Sequence, residues 1–195
     1  MNALRRTIRH VILDRDGVLN VERSDHRHLH DWSQWRWLDG TREALADLSH
    51  AGVRISIATN QAGIGRGSVT REQVDAIHAR MLTEAAQAGG SIAHVWVCPH
   101  APDAGCDCRK PLPGMLLQAI RASGIPPEAT VAVGDDLRDL QAAWAAGLDV
   151  VLVRTGKGRT TATSLARSDV AVFDDLRAFA AGWLSRTPSG VAEIP

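Results

Sequence analysis

The sequence predicts an α/β protein, a Rossmann-like three-layer sandwich built on a mostly parallel sheet. Two observations carry this. Short apolar runs rich in Val and Ile alternate with segments of helical period, as strands joined by crossover helices do. Polar clusters with Asp, Gly, Thr or Lys follow several of those runs, at the carboxyl ends of strands where open parallel sheets bind ligands.

Taken in order, residues 11–13 (VIL) are a short buried strand, and residues 41–51 have helical periodicity that stops at Gly52, a plausible C-terminal cap. Residues 53–58 (VRISIA) form the next strand, and residues 70–88 a long helix opened by the cap-like Thr70 with Gln73 three positions on. A strand at 92–97 and a helix at 113–123, with Pro at its start and Gly124 after it, come next. Strand 130–133, helix 137–146, strand 150–153, strand 170–172 and helix 174–185 complete one domain over residues 1–186, with 187–195 expected as a flexible tail. The connection from 20 to 40 is long and irregular, a length that usually serves function.

The chain has 195 residues, with Lys+Arg and Asp+Glu both 22. Zero net charge argues against a nucleic-acid partner and a polybasic membrane anchor. The opening MNALRRTIRH is followed by no apolar run, so no secretory signal is expected, and nothing approaches the ~18 apolar residues of a spanning helix. Three cysteines within eleven positions make no disulfide framework; they read as reduced thiols of a cytoplasmic protein. A monomer is the working expectation.

Four clusters carry the chemistry. Asp14-Arg15-Asp16-Gly17 follows the first strand, Thr59-Asn60-Gln61 and the glycine-rich AGIGRG follow the second, Arg109-Lys110 precedes a helix, and Gly134-Asp135-Asp136-Leu137-Arg138-Asp139 follows the 130–133 strand. Each alone could be an ordinary turn or helix start. Together, Asp14 and Asp135 make a hard oxygen site suited to Mg²⁺, and Thr59, loop amides and Lys110 supply donors for a phosphate. Asp14 is then placed to attack phosphorus, and Asp16 to protonate the leaving oxygen and later activate water.

Cys98, His100, Cys106 and Cys108 stand as C-x-H and C-x-C. Three sulfurs and one imidazole suit tetrahedral Zn²⁺, and four protein ligands leave no open position, so the loop 98–108 reads as a structural zinc site. His26, His28 and His30 alternate in the 20–40 connection and read as a solvated or sugar-facing loop rather than a second metal site. Trp32, Trp35 and Trp37 read as packing that pins this connection to the core, with stacking on a sugar as the alternative. Arg66 could reach a substrate or stay on the surface.

These motifs, DRDGVLN, ATNQAGIGRG, CRKPLPGM and GDDLRDLQAA, resemble in order those of the haloacid dehalogenase superfamily of phosphatases. Residues 8–180 resemble its D-glycero-D-manno-heptose 1,7-bisphosphate 7-phosphatase family. The resemblance implies a Mg²⁺-dependent phosphatase of a small phosphorylated sugar, working through an aspartyl-phosphate in the making of nucleotide-activated heptose. It implies Asp14 as nucleophile, Asp16 as general acid/base, and Thr59 and Lys110 as stabilisers of the phosphoryl group. Mg²⁺ would be held by Asp14, the main-chain carbonyl of Asp16, and Asp135. Substrate contacts would come from Asn60, Gln61, Ala62 and Arg109, with Asp136 and Glu22 nearby, under a minimal cap formed by the 20–40 connection. The segment Glu22-Arg23-Ser24-Asp25-His26 departs from the family pattern, and Asp136 stands where some members carry a basic residue; both leave the sugar and its anomer open.

A histidinol-phosphate phosphatase shares the motifs and the zinc loop and stands as the enzyme alternative. A polynucleotide 3′-phosphatase would need a basic strip that is absent. A receiver-like signalling domain is the non-enzyme alternative, but receivers lack the second Asp two residues on. A retired phosphatase kept as a binding module would have lost a motif residue, and none is missing.

Overall fold

β1 (His10–Leu13) is buried along its whole length and lies inside a six-stranded, all-parallel sheet of order β3-β2-β1-β4-β5-β6. The computed structural model describes residues 7–22, 28–165 and 169–185. The other strands are β2 (Arg54–Asn60), β3 (Ile92–Cys98), β4 (Thr130–Gly134), β5 (Asp149–Val153) and β6 (Ala171–Phe173). The helices are α1 (Thr41–His50), α2 (Ala62–Gly65), α3 (Arg71–Gln87), α4 (Gly114–Ser123), α5 (Leu137–Ala145), α6 (Gly158–Ser164) and α7 (Leu176–Leu184).

The two-residue period of a strand sorts its side chains to opposite faces. Val11, Leu13, Ile55, Ile57, Val131 and Val133 join one apolar layer with Leu45 and Leu48 of α1, Ile77 and Met81 of α3, and Phe179 and Trp183 of α7. Ile12, Ala58, Ala132 and Leu152 face the other way, onto Met115 and Leu116 of α4 and Leu140 of α5. Three layers result, as the sequence predicts.

Register positions the functional edge. Leu13 stands level with Ile57 on one side and Val133 on the other. Asp14, Thr59 and Asp135 therefore stand at the same carboxyl edge, one or two residues beyond that row. The turn after β1 is held by the amides of Val18, Leu19 and Asn20, all donating to the Arg15 carbonyl.

Helix signals match the structure closely. Thr70 and Gln73 form the capping box of α3, a motif worth about 1 kcal/mol. β2 runs two residues beyond the predicted 53–58, because Thr59 and Asn60 keep pairing with Val97 and Cys98. The short α2 and α6 have no counterpart in the sequence reading. Trp35 is 3% exposed, stacked on Trp32 and edge-on to Trp37 at ring-centre distances of 5.1 Å each. The tryptophans thus pin the 20–40 connection to the core, and Trp37 Nε1 adds a 2.9 Å hydrogen bond to Glu84 of α3. Residues 23–26, including His26, and the tail 187–195 lie outside the described residues. Among the described residues no helix is long and apolar enough to cross a membrane.

Candidate active site

A polar cavity of about 410 Å³ opens at the carboxyl edge of the sheet. Asp14, Asp16, Thr59, Asn60, Ala62, Arg109, Lys110, Asp135, Asp136 and Glu22 all line it. Gln61 does not; it is 2% exposed and sits behind the wall. From the 20–40 connection come Asn20, Val21, Glu22, His28 and Leu29, so that connection walls one side of the cavity.

Lys110 is a buried cation at its floor. Its Nζ lies 2.8 Å from Asp14 Oδ1 and 2.6 Å from Asp139 Oδ1. The backbone around it is braced by Asn60, whose Nδ2 donates to the Lys110 carbonyl at 2.9 Å and whose Oδ1 accepts from the Lys110 amide at 3.1 Å. Both ends of that side-chain amide are occupied in this way.

Asp14, Asp135 and Asp139 each offer an oxygen within 4.8 Å of the others. Three carboxylates against one ammonium leave two negative charges when all are ionised, the deficit a divalent cation fills. Without one, Asp14 and Asp135 resist ionisation. Burial, then the Asp139 charge, pushes Asp14 up to about 7 despite Lys110; burial, then Asp14 and Asp139, pushes Asp135 up to about 8. Asp135 is cradled closely. Lys157 donates its amide to Oδ2 at 2.7 Å, and Gly17 (φ +85°) and Gly156 (φ +53°) approach where any Cβ would collide with that carboxylate. Asp139 also accepts from the amides of Asp135 and Asp136, at 3.2 and 3.0 Å.

Asp16 is held differently. Burial alone would raise its carboxyl, but the Arg15 charge and hydrogen bonds from Asn20, Arg15 and Gln61 hold it below the ordinary range. Gln61 Nε2 reaches Asp16 Oδ2 at 3.1 Å and Thr59 Oγ1 at 2.8 Å, tying two of the named side chains together.

Glu22 and Asp136 reach the cavity already paired. Glu22 meets Lys157 Nζ at 2.9 Å, linking the 20–40 connection to the loop after β5. Asp136 caps α5 and meets Arg138 at 2.7 Å. Sequence reasoning gives no role to Asp139, Arg138 and Asn20, although they stand in its motifs, and misses Lys157. Asp139 had a readable signal, lying four residues after Asp135 on the first turn of a helix. Lys157 had none, since its partner Glu22 is 135 positions away.

Cys98, His100, Cys106 and Cys108 converge, one ligand atom each within 4.8 Å. Cys98 and Cys106 sulfurs are 3.7 Å apart, Cys98 Sγ and His100 Nδ1 3.7 Å, and His100 Nδ1 and Cys108 Sγ 3.3 Å. A tetrahedron with Zn–S of ~2.3 Å has edges of about this length. Burial and the neighbouring Cys98 and Cys106 push the Cys108 thiol up to about 12, the crowding a bound cation relieves. The loop also supports the cavity wall: the Gly65 amide donates to the Pro99 carbonyl at 2.7 Å, and Lys110 follows two residues after Cys108. Among the described residues, His28 and His30 join no cluster of metal-ligating groups.

Comparison with known proteins finds relatives over most of the chain. Residues 107–179 match the HAD-hydrolase-like family model. The chain is 44% identical over 170 residues to the D-glycero-beta-D-manno-heptose-1,7-bisphosphate 7-phosphatase of Pseudomonas putida, covering 87% of this chain and 96% of that one. The Neisseria meningitidis protein of the same description is 44% identical over 151 residues, covering 77% of this chain and 80% of its own length. Among solved structures, the D,D-heptose 1,7-bisphosphate phosphatase of Bordetella bronchiseptica, complexed with magnesium and phosphate, superposes with a TM-score of 0.87 at 40% identity, covering 92% of this chain and all of that one.

Proposed function

The chain belongs to the haloacid dehalogenase-like hydrolases and, within them, to the heptose 1,7-bisphosphate phosphatases, and from that premise we propose that it removes the 7-phosphate of D-glycero-D-manno-heptose 1,7-bisphosphate by way of an aspartyl-phosphate on Asp14. It is a phosphatase by family; the residue roles below are our reading. The observation that carries it is the meeting of Asp14, Asp16, Thr59, Lys110 and Asp135 around one polar cavity.

In this reading an Asp14 carboxylate oxygen bonds to the 7-phosphorus as the bond from phosphorus to the sugar oxygen breaks. Asp16 gives that departing oxygen a proton. Asp16 then takes a proton from water, whose oxygen attacks the phosphorus and releases inorganic phosphate, restoring Asp14. Lys110 and the Thr59 hydroxyl face the transferring oxygens, and donors fixed in a shielded site cost no reorganisation during reaction. Asp14, the carbonyl of Asp16, and Asp135 would hold Mg²⁺, which supplies charge neutralisation for the phosphoryl group when bound. Asp139 sets Lys110 between two carboxylates. Arg109, Ala62, Asn60, Glu22 and Asp136 form the sugar-facing wall, with Gln61 behind it. Cys98, His100, Cys106 and Cys108 would hold a structural Zn²⁺, giving order to the loop that carries Arg109 and Lys110. A cytoplasmic monomer fits the balanced charge and the reduced thiols this zinc site needs.

Phosphate release from both anomers of heptose 1,7-bisphosphate, histidinol phosphate and an aryl phosphate, each with and without Mg²⁺, tests the reading. Mg²⁺-dependent turnover highest on a heptose bisphosphate supports it. Preference for histidinol phosphate replaces the substrate, and turnover of none removes the enzyme.

A further inference from the structure

The chemistry above uses Asp14 and Asp16 and passes over the residue between them. Arg15 is 2% exposed, and a buried guanidinium is costly unless its donors are matched. Its Nη2 lies 2.7 Å from Asp16 Oδ2 and 2.9 Å from Oδ1, with Nε at 3.3 Å from Oδ1. The fork thus spans both carboxylate oxygens, a contact that fixes orientation as well as position.

The far side of the same guanidinium is clamped. Nη1 meets Nε2 of His78, on α3, at 3.0 Å. An arginine nitrogen only donates, so His78 Nε2 is the acceptor and its proton sits on Nδ1. Burial, and then the Arg15 charge, holds His78 far below its usual range, at about 3, which keeps it neutral and able to accept. The guanidinium carbon also lies 5.9 Å from the ring centre of Trp35 in the 20–40 connection. Neither His78 nor Trp35 lines the cavity.

We propose that Arg15 is the positioning residue for proton transfer: anchored by His78 and Trp35, it sets the Asp16 carboxylate in the orientation that serves the leaving oxygen. Asn20 and Gln61 each add one further bond to Asp16. The anchors of this orientation therefore lie on α3 and the 20–40 connection, outside the four motifs. This inference rests on the phosphatase reading and adds to it.

The test separates proton transfer from general damage. Arg15→Lys keeps the charge and loses the fork. Its first-turnover release of leaving group is compared, with Mg²⁺, on two esters: the heptose bisphosphate, whose alkoxide must be protonated, and 2,4-dinitrophenyl phosphate, whose phenolate leaves without a proton. The expected result is a loss of about 10- to 100-fold on the sugar ester and a change under about threefold on the aryl ester. His78→Leu, which removes the clamp and leaves Asp16 and Arg15 in the chain, is expected to show the same split more weakly. Equal losses on both esters, or no loss on either, would overturn the inference. Wild-type enzyme releasing neither leaving group would instead bring down the phosphatase reading. Should Arg15→Lys fail to fold, the split in His78→Leu decides.

Discussion

Asn60 and Lys110 hold each other through two hydrogen bonds of 2.9 and 3.1 Å between one side-chain amide and one backbone unit. The contact joins the end of β2 to the loop after Cys108, fifty residues on, and fixes the chain from which the Lys110 side chain reaches Asp14 and Asp139.

Asn60→Ala leaves the Lys110 amide without its partner in a largely buried place. The expected cost is about 1–3 kcal/mol of stability and roughly tenfold or more in kcat. Thermal unfolding and steady-state kinetics on the same protein check both; a loss in KM alone would show that Asn60 acts on substrate and not on Lys110.

Lys110→Met leaves Asp14, Asp135 and Asp139 facing one another without their cation. Removing one partner of a buried pair costs about 3–5 kcal/mol, and loss of a donor to the phosphoryl group about 10²–10³ in kcat. Added Mg²⁺ is expected to restore much of the stability and little of the activity. Denaturant unfolding with and without Mg²⁺ reads the first part, and turnover the second.

Stability should depend on pH and metal together. Asp14 and Asp135 are raised from 3.8 to about 7 and about 8, so the folded chain holds these protons more tightly than the unfolded one. Their contribution is fully present below about 3.8 and is lost as pH rises through 7 and 8. His10 and His78 are lowered from 6.5, to about 4 and about 3, and so act only below 6.5. Between about 6.5 and 8 the carboxylates act alone among these groups. The metal-free melting temperature should therefore fall across that window. Mg²⁺ binds the deprotonated carboxylates and should raise it more at pH 8 than at 6.5. A melting temperature flat across the window, with an equal Mg²⁺ shift at both ends, would contradict the assignment of Mg²⁺ to these residues.

Stripping zinc from the holoenzyme should lower the melting temperature and turnover even in excess Mg²⁺, with both restored by one Zn²⁺ per chain. The reason is continuity of chain: the last sulfur ligand stands two residues before Lys110, and the loop also meets α2 at Gly65. Full turnover in stripped protein would show that the Asn60 brace suffices by itself.

Much of this was legible in the sequence because the signals are local. Val11 to Leu13, followed at once by Asp14-x-Asp16, announces both a strand and what it carries, and the cysteine spacing announces the convergence of Cys98, His100, Cys106 and Cys108. Short α2 and α6 were invisible, since four and seven residues hold too few turns for a helical period to register. Pairings across the chain were also hidden. Nothing near Glu22 points to Lys157, and nothing near Arg15 points to His78, because only the folded sheet brings them together. The resemblance implies Asn60 and Gln61 as substrate contacts. Their side chains also brace Lys110, Thr59 and Asp16, a role visible only once partners have coordinates.

The most direct test of the central claim is to trap the covalent intermediate. Enzyme with Mg²⁺ is mixed with heptose bisphosphate labelled at the 7-phosphate, quenched in acid during the first turnover, and mapped by peptide. The expected result is label on the peptide containing Asp14, none in Asp14→Asn, and no turnover by that variant although its fold and zinc content are intact. Sustained turnover by Asp14→Asn, or label on a different residue, would contradict it.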